Sequence, residues 1–367
     1  MNKIKVFGCG SIGNHLTQAS RRKGWSVDMC DIDPEALLRT KNDIYPSRYG
    51  AWDDKIGLYE SKDIPNSGYD FVIVGTPPDS HMTLARQAIK EGAKTILVEK
   101  PLCTPDLAGA QELLNEANES GCSIFVGYDH AISKSALIMS DYLKQKTLGN
   151  IITLDVEFRE YWGGIFMAHP WLDGPSDTYL GFWQRGGGSC GEHSHAINLW
   201  QSFSIAAGMG RITEVSATME YVKNDKVDYD SICLMQVRTE KGMIGRIVQD
   251  VVTQPTGKWA RAQCDEGFIE WHCGNKPGID TVIHGTNDGV TTTSEIKKTR
   301  PDDFYQEMNH IESSLNNSSQ NVSPITLERG VETMLVIAAA HMSEQNKCPV
   351  SIDYTNGYTT DALSLAK

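Results

Sequence analysis

The chain has 367 residues, which at about 100–200 residues per domain predicts two domains and excludes a fibrous or small disulfide-stapled chain. Hydrophobic residues make up 40% and charged residues 22%, a globular composition that selects no activity by itself. The formal charge of −13, from 34 Lys plus Arg against 47 Asp plus Glu, disfavours recruitment of nucleic acid or anionic lipid by the whole-molecule field, so an anionic ligand must be held by local features.

The nine cysteines are odd in number and form no CxxC pair, which predicts reduced thiols in a cytoplasmic protein. Met1 leads into Asn-Lys-Ile-Lys-Val and a glycine turn rather than a signal-type apolar region, and no apolar run approaches about 18 residues. The expectation is a soluble cytoplasmic chain without membrane contact.

Lys3 to Phe7 reads as a strand, followed at once by Gly8-Cys9-Gly10-Ser11-Ile12-Gly13 and a helix ending at Gly24. In that setting the first glycine permits a tight turn, the second lets the backbone approach a pyrophosphate, and the third brings helix and strand together. A second strand, Ser26 to Cys30, ends at Asp31, 23 residues after Gly8, where an acid meets a ribose 2′-hydroxyl and repels a 2′-phosphate. NAD is therefore expected over NADP. Asp33-Pro34 opens a helix, Phe71 to Gly75 is an apolar strand, and Ser80 to Glu91 is a helix stopped by Gly92. Thr95 to Val98 is a strand, Thr104-Pro105 caps a helix running to Ser120, and Ser123 to Val126 is a further strand. This alternation predicts an α/β fold with a doubly wound parallel sheet. Beyond it, after a helix near Lys134 to Lys146, the strands Ile151 to Tyr161, Ile212 to Tyr221, Ser231 to Thr239 and Met243 to Val252 have no helix-length crossovers between them, which predicts antiparallel pairing. The boundary falls near residue 125.

Two signatures stand at strand ends beside the glycine motif: Gly75-Thr76-Pro77-Pro78 with His81, and Glu99-Lys100-Pro101. Together with Val126-Gly127-Tyr128-Asp129-His130, Leu148-Gly149-Asn150-Ile151, Gly186-Gly187-Gly188 and Ile325-Thr326-Leu327-Glu328-Arg329-Gly330, the chain resembles the Gfo/Idh/MocA oxidoreductase family over nearly its whole length. The resemblance implies a Rossmann cofactor domain (1–125) and an α+β substrate domain (126–367) with a large, mostly antiparallel sheet and a late helix at 325–346. The open face of that sheet implies a homo-oligomer, dimer or tetramer. It further implies an NAD-dependent dehydrogenase or reductase for a secondary hydroxyl or ketone of a sugar, cyclitol or nucleotide sugar.

Cofactor contacts are expected along Gly8, Gly10, Ser11, Ile12, Gly13, Asp31 and Ile32, and from Gly75, Thr76, Pro77, His81, Glu99, Lys100 and Pro101. Lys100 matches the family lysine that contacts the reacting hydroxyl, where a cation stabilises developing charge on oxygen; as a bare lysine it would read as a solvated surface group. Where the family carries D-x-G-x-H-x-x-D, this chain reads Ser189-Cys190-Gly191-Glu192-His193-Ser194-His195-Ala196-Ile197-Asn198. Aligning His195 as the base puts Asn198 at the last acid and Gly191 at the first, so Glu192 or His193 is expected to replace the missing acid. The same cluster offers metal-type ligands, but no second His/Cys cluster supports that reading and no metal is expected. A core histidine with a capping glutamate is the bland alternative.

Substrate contacts are expected from Lys100, Tyr128, Asp129, His130, Trp162, Trp183, Arg185 and His195. The aromatic rings suit the apolar faces of sugars, although ordinary core packing accounts for most tryptophans equally well. His81 is expected to order its loop near the nicotinamide rather than to do chemistry. A non-catalytic NAD-binding regulator and an NAD-dependent glycosidase of the same family are the competing readings.

Overall fold

The computed structural model describes residues 3–167, 169, 171–316 and 323–366. Strands β1 (Lys3–Phe7), β2 (Ser26–Asp31), β3 (Ile56–Glu60), β4 (Phe71–Val74), β5 (Thr95–Val98) and β6 (Ser123–Val126) form a six-stranded sheet in the order β3-β2-β1-β4-β5-β6, parallel throughout. The apolar strands β4 and β5 are buried along their whole length, as expected when helices cover both faces of a parallel sheet. The strand order reverses between β1 and β4, which puts the topological switch point beside the glycine turn.

A second sheet of ten strands comprises β7 (Ile151–Arg159), β8 (Ile212–Lys223), β9 (Asp228–Thr239), β10 (Ile244–Asp250), β11 (Gly257–Cys264), β12 (Gly267–Lys276), β13 (Ile279–Thr286), β14 (Thr291–Lys297), β15 (Val350–Ile352) and β16 (Leu363–Leu365). Their order is β14-β13-β12-β11-β7-β10-β9-β8-β15-β16. Only the β7–β10 pair is parallel. Alternation along β9 sends Cys233, Met235 and Val237 inward and leaves Leu234 exposed. The inner face lies under the helices Ser194–Ala206 and Leu327–Asn346, whose buried Trp200, Phe203, Leu335 and Val336 complete the core.

The halves are joined by backbone as well as side chains. The Val126 N–H donates to the Ile325 carbonyl (2.8 Å), so the approach to the last helix borders β6. Helix Arg300–Asn316 packs on helix Ser11–Arg22, and Lys23 Nζ donates to Asn309 Oδ1 and Glu312 Oε2, each at 2.7 Å. Among the described residues no helix is long and apolar enough to cross a membrane. All nine cysteines are free.

Three local expectations are corrected. The helix after Thr104-Pro105 begins only at Ala110, because Leu107 (φ 59°) and Gly109 (φ 81°) are left-handed and interrupt it. Edge strand β3 and the hairpins β11 to β14 were not anticipated, since short, mixed polar and apolar runs carry little periodicity. The strand expected from Ile151 to Tyr161 stops at Arg159, and the late helix starts at Leu327, with the Thr326 side chain accepting from the Arg329 N–H as its cap.

Candidate active site

At the glycine turn, a Cβ on Gly8 would lie 2.6 Å from the Gly75 carbonyl oxygen, and one on Gly13 would lie 2.0 Å from the Gly8 carbonyl oxygen. Only hydrogen fits at these contacts. A Cβ on Gly10 would meet nothing within 4 Å. Helix Ser11–Arg22 has Gly10 as its N-cap and no side-chain cap bond, so its first amides remain available to an anion. From behind, Asn14 Nδ2 donates to the Cys9 and Gly10 carbonyls (3.2 and 2.8 Å), and Thr40 Oγ1 donates to Cys9 as well (2.5 Å). The turn's acceptors are thereby satisfied on the side away from the groove. The Asp31 carboxylate accepts from the Cys9 amide (2.8 Å) and the Asp33 amide (3.0 Å), which fixes an anion at the end of β2 next to the exposed Ile32. This cradle fits a dinucleotide: room at Gly10, uncapped amides, and a fixed acid for a ribose.

At the other end of the cleft, Lys100 Nζ donates to Glu192 Oε2 (2.9 Å) and to the Glu192 carbonyl (3.0 Å). Glu192 closes the short helix Gly188–Glu192, which is held by buried Asp230 through Ser189 Oγ (2.6 Å) and the Cys190 amide (2.7 Å). Burial pushes the Asp230 carboxyl up to about 7. His195 Nδ1 lies 3.6 Å from Asp129 Oδ1, while Asp129 Oδ2 pairs with Arg300 Nη1 at 3.2 Å. Burial opposes ionisation of Asp129, but the positive charge around it, Arg300 its permanent part, holds its carboxyl well below the usual carboxylate range. Burial, followed by His130, pushes His195 well below the usual imidazole range. At this separation neither Asp129 Oδ1 nor His195 Nδ1 makes a hydrogen bond, so the two face each other as an unbridged pair; an Nδ1–H tautomer would aim its proton at the carboxylate and leave Nε2 as the acceptor.

Aromatic rings set the orientation of these imidazoles. His130 stands edge-on to His195 (4.7 Å between ring centres) and to Phe158 (5.1 Å), and Phe158 of β7 stacks on Trp271 of β12 at 5.9 Å. Lys258 Nζ pairs with Glu160 Oε2 (3.0 Å) and sits 5.7 Å from the centre of the Phe158 ring. Burial, followed by the Lys258 cation, holds His193 down at about 4.

Residues 2–128 match the family described as Gfo/Idh/MocA, "Oxidoreductase family, NAD-binding Rossmann fold". This part of the chain belongs to the Gfo/Idh/MocA oxidoreductase family. The matched residues contain the glycine turn and Asp31 described above, so this part of the chain is an NAD(P)-binding oxidoreductase domain. No curated protein sequence matches the chain. Similar folds span its whole length. An aldose-aldose oxidoreductase from Caulobacter crescentus superposes with a TM-score of 0.75 at 16% identity, covering 96% of this chain and 99% of that one. The WlbA dehydrogenase from Bordetella pertussis, solved with NADH and UDP-GlcNAcA, gives 0.71 at 17% identity over 95% and 98%. An oxidoreductase from Agrobacterium radiobacter, solved with NAD+, L-tartaric acid and magnesium, gives 0.74 at 16% over 95% and 98%.

Within this Gfo/Idh/MocA frame several expected contacts are placed elsewhere. His81 is wholly buried, with Nε2 2.7 Å from the Thr76 carbonyl and Nδ1 3.1 and 3.2 Å from those of Pro101 and Leu102. It ties the loops after β4 and β5 together instead of touching a cofactor. Tyr128 is also wholly buried and braces His195 edge-on at 5.7 Å. Trp162 packs in a separate apolar cluster with Leu180, Val227, Tyr229 and Val251. Trp183 stacks on His341 at 4.3 Å, and Arg185 pairs with Asp79 across the two halves at 2.7 Å. In the structure these four side chains serve packing or the joint between the halves.

The acid that faces His195 is Asp129, from another segment, rather than Glu192 or His193 of its own segment. Asp129, His130 and His195 also bring ligand-type atoms within 4.8 Å of one another, although Arg300 already balances the Asp129 charge. Arg300 and Lys258 went unnoticed in the sequence. No local motif marks them, since Arg300 meets a partner 171 residues away.

Proposed function

We propose that this oxidoreductase is an NAD(H)-dependent dehydrogenase or reductase acting on a secondary hydroxyl or ketone of a sugar, cyclitol or nucleotide sugar. The observation that carries the reading is the pairing of His195 with Asp129 in the cleft that also holds Lys100. Asp31 supports NAD, because a fixed carboxylate repels a 2′-phosphate. The similarity in fold to an aldose-aldose oxidoreductase and to a dehydrogenase bound to UDP-GlcNAcA supports the substrate class.

A dinucleotide held by the glycine turn and Asp31 would supply the hydride acceptor for the carbinol carbon. His195 Nε2 accepts the hydroxyl proton as the C–H electron pair leaves, and a carbonyl forms; reduction reverses both transfers. Asp129 holds the imidazole in the accepting tautomer and stabilises the imidazolium. Lys100 stabilises negative charge developing on the substrate oxygen, and Glu192 holds the ammonium in place. In this reading residues 1–125 hold the cofactor and residues 126–367 most of the substrate, with Lys100 reaching the substrate oxygen from the first half. Exposed Leu234 and Ile244 on the outer face of the second sheet support a homo-oligomer. The test is a screen of the purified protein with NAD and a polyol and sugar panel, followed at the reduced-nicotinamide absorbance band. Lys100→Met should abolish the signal, and normal turnover by that variant would overturn the mechanism.

A further inference from the structure

Helix Tyr45–Tyr49 brings Arg48 to the start of the glycine-turn helix. Its guanidinium donates to the Ser11 carbonyl (3.0 Å) and to Ser11 Oγ (2.9 Å). Both acceptors are neutral, and among the described residues Arg48 makes no ion pair with a carboxylate. Its charged neighbour is instead Arg300, whose like charge adds to burial in holding the Arg48 pKa down. A half-buried cation thus stands at the positive end of helix Ser11–Arg22, where the helix dipole opposes it. Such a site complements an anion bound at that same helix end.

Arg48 also lines a cavity of about 580 Å³ together with Arg39, Asn42, Asp43, Ser47 and Trp171, next to the glycine turn rather than lined by it. Trp171 comes from the chain between β7 and helix Gly188–Glu192, so the two walls of this cavity belong to different halves of the protein. Arg39 is engaged by Asp33 at 3.1 Å, whereas Arg48 has no anionic partner.

We propose that Arg48 is a cofactor-binding residue: its guanidinium binds the pyrophosphate of the dinucleotide beside the amides of the Gly8 to Gly13 turn. A guanidinium fork suits two phosphate oxygens at once. Its tether to Ser11, at the helix start rather than at Asp31, assigns it to the pyrophosphate and not to a ribose 2′-phosphate. The inference rests on the dinucleotide lying along the glycine turn.

Calorimetric titration of the full-length protein with NAD, ADP-ribose and adenosine tests it. Arg48→Gln should weaken NAD and ADP-ribose about 10- to 100-fold and leave adenosine unchanged, because adenosine carries no phosphate. The salt dependence of ADP-ribose binding should flatten in the same variant. Wild-type affinity for ADP-ribose in Arg48→Gln overturns the proposal, and so does an equal loss for adenosine, which would mean that Arg48 only props the turn. If the wild-type protein bound none of the three probes, the dinucleotide reading itself would fall, an outcome distinct from either of these. Should Arg48→Gln not fold, Arg48→Lys keeps the charge without the fork and should weaken ADP-ribose but not adenosine; equal weakening of both overturns the proposal.

Discussion

Asp129 Oδ1 faces His195 Nδ1 at 3.6 Å, with Arg300 on the other carboxylate oxygen at 3.2 Å. The imidazole and the carboxylate that faces it therefore come from two segments, one opening helix Ser194–Ala206 and one following β6. Arg300 balances the carboxylate charge on the side away from the imidazole.

Asp129→Asn keeps the shape and removes the charge. The expected result is a loss in kcat on the order of 10²- to 10⁴-fold with little change in NAD affinity. Steady-state kinetics combined with cofactor titration separates the two, and a kcat within a few-fold of wild type would remove Asp129 from the mechanism.

The pH profile follows from His195. Burial and His130 lower its pKa, and a general base works unprotonated. In the oxidation direction kcat/KM should therefore stay level as pH falls through about 6.5, the ordinary imidazole value, and decline only below it. An acid limb at or above that value would count against His195 as the base.

Asp31→Ser removes the anion that the Cys9 and Asp33 amides hold beside the groove. The ratio of kcat/KM for NAD over NADP should fall by at least about 10-fold, since a like-charge clash of this kind costs several kcal/mol. An unchanged ratio would mean that specificity is set elsewhere.

Asp230 links the glycine-rich turn to stability. Its carboxyl is pushed up to about 7 from 3.8, so between these values the folded protein binds more protons than the unfolded chain, and this group's contribution declines as pH rises. Urea unfolding at several pH values should show the wild type losing stability relative to Asp230→Asn from about pH 4 to 7. A pH-independent difference between the two would refute the assignment.

The cofactor cradle was legible in the sequence because its determinants are local. Tight-turn sterics, the clearance at Gly8 and Gly13, and the distance to Asp31 all operate within a strand-turn-helix-strand unit, and the structure places them as expected. Strand and helix ends were less legible where left-handed residues intervene, as at Leu107 and Gly109, because a Leu gives no warning of a positive φ.

The sequence by itself determined the alternation of strands and helices through most of the first sheet, the glycine turn, Lys100 at the end of β5 and a histidine-rich segment after the triple glycine. Only the tertiary structure decided which charges meet. Lys100 pairs with Glu192 and Arg300 with Asp129 across 92 and 171 residues of chain, while Trp162 and Tyr128 are used in packing. Backbone hydrogen bonding and side-chain period act over a few residues and leave a local trace, whereas the ionisation and pairing of a buried group depend on whatever the fold brings within a few ångströms.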